Sequence, residues 1–337
     1  MNPINQRRLE NFKSNRRGYW SLWFFSFLFI FTLFAEFISN DKPLLIYYDN
    51  SVYLPIINTY TETDFEGDFE TEADYRDSYI QELINKKGWM LWPMIRYSYK
   101  TINYDLPVPA PAPPSLENWL GTDDQGRDVV ARLIYGFRIS ILFALTLTFF
   151  STLVGVVVGA IQGFYGGKID LVGQRIIEIW SGLPVLYLLI ILSSFVQPSF
   201  WWLLGIMLLF SWMGLVDVVR AEFLRARNFE YVRAARALGL NNQGIMFKHM
   251  LPNAMVATLT FMPFILTGAI GGLTSLDFLG FGMPLGSPSL GELIAQGKAN
   301  LHAPWLGISA FVVLSLMLTL LVFIGEAVRD AFDPKKA

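Results

Sequence analysis

Few residues of this chain combine the types and the spacing that covalent chemistry requires. The sequence has no cysteine and only two histidines, His249 and His302, which excludes thiolate nucleophiles and thiolate metal sites. It also contains no G-x-x-x-x-G-K-[ST], H-E-x-x-H or G-x-S-x-G motif, so P-loop nucleotide binding, zinc-protease and nucleophile-elbow chemistry are not indicated. We therefore predict no catalytic residue and no metal site.

Carboxylates are the remaining candidates, and three of them stand in the stretch GTDDQGRDVVARLIYG. Thr122 and Gln125 have the spacing of a capping box, which predicts that a helix begins here. Ligand binding by Asp123, Asp124 and Asp128 is one hypothesis, and helix capping with ion pairing is the favoured one. The motif comprises Gly121, Thr122, Asp123, Gly126, Arg127 and Asp128.

Four further carboxylates lie near the ends of apolar segments: Glu178, Asp217, Asp277 and Glu326. They do not form the chain of buried carboxylates that a proton-coupled pump uses, so structural ion pairs are expected. Asp277 stands apart because it follows Gly271 and Gly272 in an apolar segment that also contains Pro263. We interpret these two glycines and Asp277 as a possible gating element along a path.

The stretch Asn228–Pro252, NFEYVRAARALGLNNQGIMFKHMLP, is polar and basic and lies between two long apolar segments. We name it the 228–252 segment. Asn228 is predicted to be the N-cap, Glu230 suits the positive end of a helix dipole, and Gly239 stands where a C′ glycine is expected. Asn241 or Asn242 then caps a second short helix, which is predicted to end near Pro252.

One apolar face of the first short helix is predicted from the spacing i, i+3, i+4, i+7. A helix of about 15 Å is too short to span a membrane, so this narrow face suits the groove of another protein. The face comprises Tyr231, Ala234, Ala235 and Leu238, and Arg233, Arg236, His249 and Leu251 complete the candidate site.

Composition identifies the elements that must position these residues. The chain has 337 residues, 53% hydrophobic and 16% charged, whereas soluble domains carry about 25% charged residues. Stretches of roughly 20 apolar residues predict transmembrane helices. The fold class is therefore an all-α polytopic membrane protein, whose six predicted spans are residues 19–38, 139–164, 176–196, 200–219, 254–276 and 305–324.

Lys and Arg bias predicts the orientation. The tail of residues 1–18 is basic and is expected in the cytoplasm, as are the loop at 166–175, the 228–252 segment and the C-terminus. Residues 41–119 then form an external insertion with thirteen acids against six basic residues between Asp41 and Glu117, ending in the Pro-rich LPVPAPAPP. A stretch of this length predicts a small ordered unit. With a net charge of −2, no nucleic-acid partner is indicated.

The motifs together resemble the binding-protein-dependent ABC importer permeases. Ala234-Ala235, Gly239 and Leu251-Pro252 match the family loop E-A-A-x3-G-x9-I-x-L-P, with Arg233 in place of its Glu and His249 in place of its Ile. LGTDDQGRD, SLDFLGFG and the C-terminal RDAFDPKK favour the dipeptide, oligopeptide and nickel branch. Within that branch the chain resembles the second permease of the pair. The insertion is most similar to that of the enterobacterial importers of microcin C and oligopeptides.

This resemblance implies the type I importer permease fold for residues 120–337 and a location in the bacterial inner membrane. It implies a homologous second permease, two ATPase domains, separate or fused, that bind ATP–Mg, and a periplasmic protein that delivers peptide. The 228–252 segment would be the coupling helix that docks on an ATPase. Dipeptides, glutathione and nickel chelates remain alternative substrates. A membrane scaffold or receptor without transport, and an intramembrane enzyme, are the alternatives of other classes.

Overall fold

The computed structural model describes residues 3–193, 195–284 and 286–333. These residues group into two compact units: Met1–Phe27, Ser140–Pro284 and Ser315–Ala337 form unit 1, and Leu28–Ile139 with Leu285–Leu314 form unit 2. The end of the RDAFDPKK match, with the predicted cytoplasmic C-terminus, lies outside the described residues. So does residue 194 in the third predicted span.

Helices form most of unit 1, and they alternate with irregular segments in unit 2. In chain order they are α1 Pro3–Ser14, α2 Arg16–Leu33, α3 Ala35–Ile38, α4 Ser78–Lys87, α5 Val129–Tyr165, α6 Gly167–Ser181, α7 Val185–Ser193, α8 Phe200–Ser211, α9 Met213–Ala226, α10 Glu230–Ala237, α11 Asn242–Gly244, α12 Leu251–Phe278, α13 Leu290–Ala299 and α14 Pro304–Phe332. A π-helical segment, Ile245–Met250, joins α11 to α12.

Four helices of the described chain are long and apolar enough to cross a membrane: Val129–Tyr165, Phe200–Ala226, Asn242–Phe278 and Pro304–Phe332. They coincide with the second, fourth, fifth and sixth predicted spans and extend beyond them. A fifth span is possible if the pair Gly167–Ser181 and Val185–Leu192, bent by 64°, counts as one. The first predicted span is α2, which ends at Leu33 before a break at Phe34. The total of six spans therefore stays a prediction.

The third predicted span differs most from the structure. The stretch 166–175 was expected to be a loop, but α6 begins at Gly167 and runs through it. The helix ends at Ser181, and α7 resumes at Val185 after Gly182–Pro184. Proline lacks a backbone N–H and disfavours a helical conformation in the residue before it. Pro184 therefore explains why one apolar stretch becomes two helices.

In unit 1, α5 packs closely on α9. A Cβ atom added at Gly155 would lie 2.8 Å from the carbonyl oxygen of Trp212, and one at Gly159 would lie 2.8 Å from that of Val216. At Gly163 the nearest carbonyl oxygen would be 2.6 Å away. Only hydrogen fits at such distances, which is the close helix packing that a small-xxx-small pattern permits.

Unit 2 contains the insertion, which is ordered around a small sheet. β1 (Leu45–Tyr48) lies between β2 (Ser51–Tyr53) and β3 (Gly88–Leu91), and both pairs are antiparallel. Alternate residues of β1, Ile46 and Tyr48, are buried against Phe65 and against Ile80 and Ile84 of α4. The expectation of an ordered unit is confirmed, whereas the all-α description is wrong for this insertion.

Candidate functional site: the 228–252 segment

The first short helix of the segment is α10, Glu230–Ala237. Asn228 does not cap it, because its N–H still donates to the Arg225 carbonyl in the turn that ends α9 (3.4 Å). Phe229 occupies the N-cap position in an extended conformation and makes no side-chain capping bond. Glu230 does lie in the first turn, as predicted, where its charge suits the helix dipole.

Gly239 ends α10 in the predicted way. Its φ is +81°, in the left-handed region that costs a residue with a Cβ atom. Its N–H donates to the Arg236 carbonyl at 3.0 Å, and the N–H of Leu240 donates to the Ala235 carbonyl at 3.1 Å. These two bonds are a Schellman motif, which satisfies the last carbonyls of the helix.

The inner face of α10 is part of the core of unit 1. Val232 and Ala235, three residues apart, are buried in a cluster with Phe164, Phe223 and Met250. The prediction that Ala235 belongs to the docking face is therefore wrong. A helix packed on its own chain must bury one stripe, and Val232, which was not selected as a site residue, supplies most of that stripe.

The outer face of α10 carries the rest of the predicted set. Tyr231, Ala234 and Leu238 are all exposed, and Leu238 is 81% exposed. Arg233 is exposed beside them and has no ion-pair partner among the residues that the structure describes. The Arg236 guanidinium instead lies over the Phe164 ring, 5.7 Å from its centroid, so this cation already has a contact within its own unit.

The second half of the segment does not end at Pro252. Asn241 is the N-cap, accepting the N–H of Gly244 at 2.8 Å as predicted. The chain then passes through the π-helical Ile245–Met250 directly into α12, and a single helix runs from Asn242 to Phe278. Pro252 cannot donate to the carbonyl four residues earlier and would clash with it. The wider π turn just before Pro252 accommodates this loss without ending the helix.

A polar contact joins α10 to this continuous helix. The side-chain amide of Asn253 donates to the His249 carbonyl at 3.2 Å and to the Tyr231 hydroxyl at 3.3 Å. His249 is half-buried and Leu251 packs against the cluster of unit 1. Sequence reasoning missed Asn253, because its partner Tyr231 lies 22 residues earlier in the chain and no spacing rule joins the two. The segment is thus a short helix fixed on its inner side to the start of a long apolar helix.

The GTDDQGRD motif belongs to unit 2. Its helix begins at Val129, and the N-cap is Asp128, whose Oδ1 accepts the Ala131 N–H at 2.8 Å. The predicted capping box at Thr122 and Gln125 is wrong, because the Thr122 hydroxyl accepts the Ala112 N–H instead (2.9 Å). Gly121 and Gly126 take positive φ values of 73° and 82° in the turn that precedes the helix.

The charges of this motif pair within the chain. Arg127 contacts Asp123 at 2.7 Å and Glu292 at 3.0 Å, and Arg132 contacts Glu292 at 2.8 Å. Burial raises the pKa of the neighbouring Asp124 carboxyl above its usual value. Among the described residues no group of His, Cys, Asp or Glu could hold a metal ion. The expected roles of capping and ion pairing are therefore confirmed.

The proposed gating residues lie along α12. Nothing comes within 4 Å of a Cβ added at Gly271, and at Gly272 the nearest atom is the flexible end of Met207 at 3.0 Å. Asp277 accepts the Met283 N–H at 2.7 Å and so fixes the turn after the helix. Gly280 ends α12 in a second Schellman motif with a φ of +80°. The gating role of Gly271 and Gly272 stays a prediction.

Comparisons with known proteins identify the class. Residues 155–337 match the family described as "Binding-protein-dependent transport system inner membrane component". The chain is 60% identical over 337 residues to the inner membrane ABC transporter permease protein YejE of Escherichia coli K12, covering 100% of this chain and 99% of the relative. It is 60% identical over 358 residues to the peptidoglycan transport system permease protein YejE of Agrobacterium fabrum, covering 99% and 94%.

A more distant relative and a solved structure are also similar to this chain. The oligopeptide transport system permease protein OppC of Lactococcus lactis IL1403 is 34% identical over 231 residues, covering 67% of this chain and 78% of the relative. A chain of the inward-facing MetNI methionine ABC transporter superposes with a TM-score of 0.51 at 18% identity, covering 59% of this chain and 96% of that one. This last likeness shows the fold alone.

The chain therefore belongs to the family of binding-protein-dependent transport system inner membrane components. It is an ABC transporter permease, a transport subunit of the inner membrane and not an enzyme. Within the family its fold is that of the type I importer permeases.

Proposed function

We propose that this permease forms half of the translocation path of an ATP-driven importer for peptides, including oligopeptides and peptide antibiotics such as microcin C. The names of the relatives support a peptide class, because they refer to oligopeptide and peptidoglycan transport. A homologous second permease supplies the other half of the path, and a periplasmic binding protein delivers the substrate.

The observation that carries the coupling mechanism is the two-sided packing of α10. Its inner stripe is buried in unit 1, and its outer stripe of Tyr231, Ala234 and Leu238 is exposed. Because α10 is fixed on its inner side to the start of α12, a push on the outer stripe is transmitted to an apolar span. The partner ATPase binds ATP–Mg and closes, and the differential contact of its two states with α10 shifts the permease between conformations.

Orientation follows from the same scheme. The permease spans the inner membrane six times, with α2 as the first span, both termini in the cytoplasm and the insertion in the periplasm. The basic tail and the basic surroundings of the 228–252 segment support this placement. The exposed Arg233 replaces the family's Glu, so the groove that receives α10 is expected to present an acidic residue there.

Purification of the chain with its native partners tests the proposal. A second permease and an ATPase should co-purify, and ATP hydrolysis by the complex should rise when binding protein and a peptide are added together. Nickel chelate, glutathione and dipeptides serve as competing substrates in the same assay. Stimulation by nickel chelate alone would replace the peptide assignment, and a preparation without any ATPase would favour a scaffold.

A further inference from the structure

The insertion of unit 2 contains a cleft that the transport mechanism does not use. Its volume is about 480 Å³, within the range of small-molecule sites, which are commonly about 300–1,000 Å³. The residues that matter for its chemistry are Arg76, Arg96, Asp105, Glu117, Trp92 and Trp119. Two cations, two anions and two tryptophans therefore line one opening.

Both arginines are held against aromatic rings. The guanidinium carbon of Arg76 lies 4.2 Å from the centroid of the Tyr97 ring, and that of Arg96 lies 5.5 Å from the centroid of the Trp92 ring. Stacking orients a guanidinium but leaves its N–H edge free to donate. Such an edge matches a carboxylate in a bidentate geometry.

These two cations lack carboxylate partners in a region rich in carboxylates. Elsewhere in the insertion, Lys42 pairs with Glu72 and Lys87 pairs with Glu66. Within the described part of the chain, the guanidinium groups of Arg76 and Arg96 form no ion pair within 4.0 Å. Acids outnumber basic residues thirteen to six in this region, yet the two arginines of the cleft have no ion pair, so both cations are available to an anionic ligand.

The acids of the cleft are equally placed for a cation. The Glu117 carboxylate accepts a hydrogen bond from the Tyr97 hydroxyl at 3.3 Å. The Arg76 guanidinium lies over the ring of the same tyrosine. Burial raises the pKa of that Tyr97 hydroxyl, so the hydroxyl remains a donor. Arg76 and Glu117 thus contact the same tyrosine without forming an ion pair, and the cleft offers both signs of charge to a ligand.

We propose that this cleft binds the zwitterionic backbone of a short peptide. Arg76 and Arg96 hold the α-carboxylate, Glu117 and Asp105 hold the α-ammonium group, and an apolar side chain packs on Trp119. This assignment rests on the proposed function, because it takes peptides as the substrate class. It adds a substrate site on the permease itself, which would hold a peptide outside the path.

The test uses the complete permease–ATPase complex in nanodiscs without binding protein. Equilibrium dialysis measures binding of the radiolabelled tripeptide Ala-Phe-Ala and of its C-terminal amide and N-acetyl forms. Each blocked form should bind about tenfold more weakly or worse, because a charged group loses its partner. Arg96→Gln should weaken binding of the free peptide by a similar factor. It should leave binding of the C-terminal amide, which is already weak, almost unchanged.

Matched controls separate the cleft from general surface effects. Lys100 is also a cation over an aromatic ring, 5.3 Å from the Tyr99 centroid, but it does not line this cleft, so Lys100→Gln should bind the peptide normally. Trp119 and Trp89 are 51% and 52% exposed, and only Trp119→Ala should weaken binding.

Several outcomes would overturn the site. They are equal binding of the amide and the free peptide, wild-type affinity in Arg96→Gln, or no measurable binding by the wild-type complex. ATP hydrolysis stimulated by peptide-loaded binding protein is measured on the same samples. If stimulation is normal while the cleft shows none of these effects, the site is wrong and the proposed function stands. If stimulation fails as well, the peptide assignment falls with it.

Discussion

Two charged stretches border apolar helices in this chain, and they differ in the burial and pairing of their charges. Around the GTDDQGRD motif, Asp123 and Arg132 are fully buried, and each of them contacts a group of opposite charge. In the 228–252 segment, the charged side chains of α10 remain exposed, and Arg233 has no ion-pair partner among the described residues.

This difference shows how a charged motif can be assigned to structure or to partner binding. A buried charge that loses its partner costs several kcal/mol, so such a motif needs its counter-charges within its own chain. An exposed charge carries no such requirement, and its arrangement can serve a second protein. Substitutions at Arg132, Leu238, Gly239 and Arg233 test this division.

The largest effect is expected at the buried network. Arg132→Met should remove about 3–5 kcal/mol of stability, because it leaves Glu292 and Asp123 with a weaker set of partners in a buried site. Arg138→Met on the same helix is the control, since Arg138 forms a half-exposed pair with Glu36 and should cost about 1 kcal/mol or less. Thermal unfolding of the purified permease measures both. Equal losses would remove the distinction between the two stretches.

The outer face of α10 should affect partner binding without affecting stability. Leu238→Asp should lower ATPase co-purification and peptide uptake by about tenfold or more, as expected for an interface anchor. Leu301→Asp is the matched control, because Leu301 is 83% exposed and Leu238 is 81% exposed. Both variants should unfold at the wild-type temperature. Normal uptake in Leu238→Asp would show that this face does not dock.

Gly239 and Gly280 have the same backbone conformation but lie at the ends of different helices. Both have φ near +80°, both end a helix in a Schellman motif, and neither has an atom within 4 Å of an added Cβ. Aspartate at either position should therefore cost about 1 kcal/mol in stability. Only Gly239→Asp should reduce co-purification with the ATPase and separate ATP hydrolysis from uptake. The same loss in Gly280→Asp would mean that stability alone explains it.

Sequence reasoning succeeded where one local rule decides the structure. Long apolar stretches became long helices, Gly239 adopted the left-handed conformation, and Asn241 capped its helix. Each outcome depends on hydropathy, on the missing Cβ atom, or on a short polar side chain next to free N–H groups. Such causes act within a few residues and are visible in the sequence.

Sequence reasoning failed where two local rules compete or where packing between distant residues decides the structure. Thr122 and Asp128 both have side chains that can cap a helix. The Thr122 hydroxyl accepts the Ala112 N–H instead, and Asp128 is the cap. Pro252 usually ends a helix, but the π turn before it kept the helix continuous. The spacing of apolar residues in α10 allows two overlapping apolar stripes. Ala235 belongs to the buried stripe because α10 packs on the core cluster of unit 1. No pattern within 25 residues contains that information.

The smallest expected effect concerns Arg233 at the rim of the exposed face. Because its charge is solvated, Arg233→Glu should weaken association with the ATPase by less than about tenfold, mainly through a slower association rate that high salt suppresses. Lys168→Glu is the control, since Lys168 is an exposed cation of unit 1 outside the 228–252 segment. Surface plasmon resonance at two salt concentrations measures both variants. If Arg233→Glu strengthened binding, the groove that receives α10 would be basic, and the acidic partner inferred for this position would be wrong.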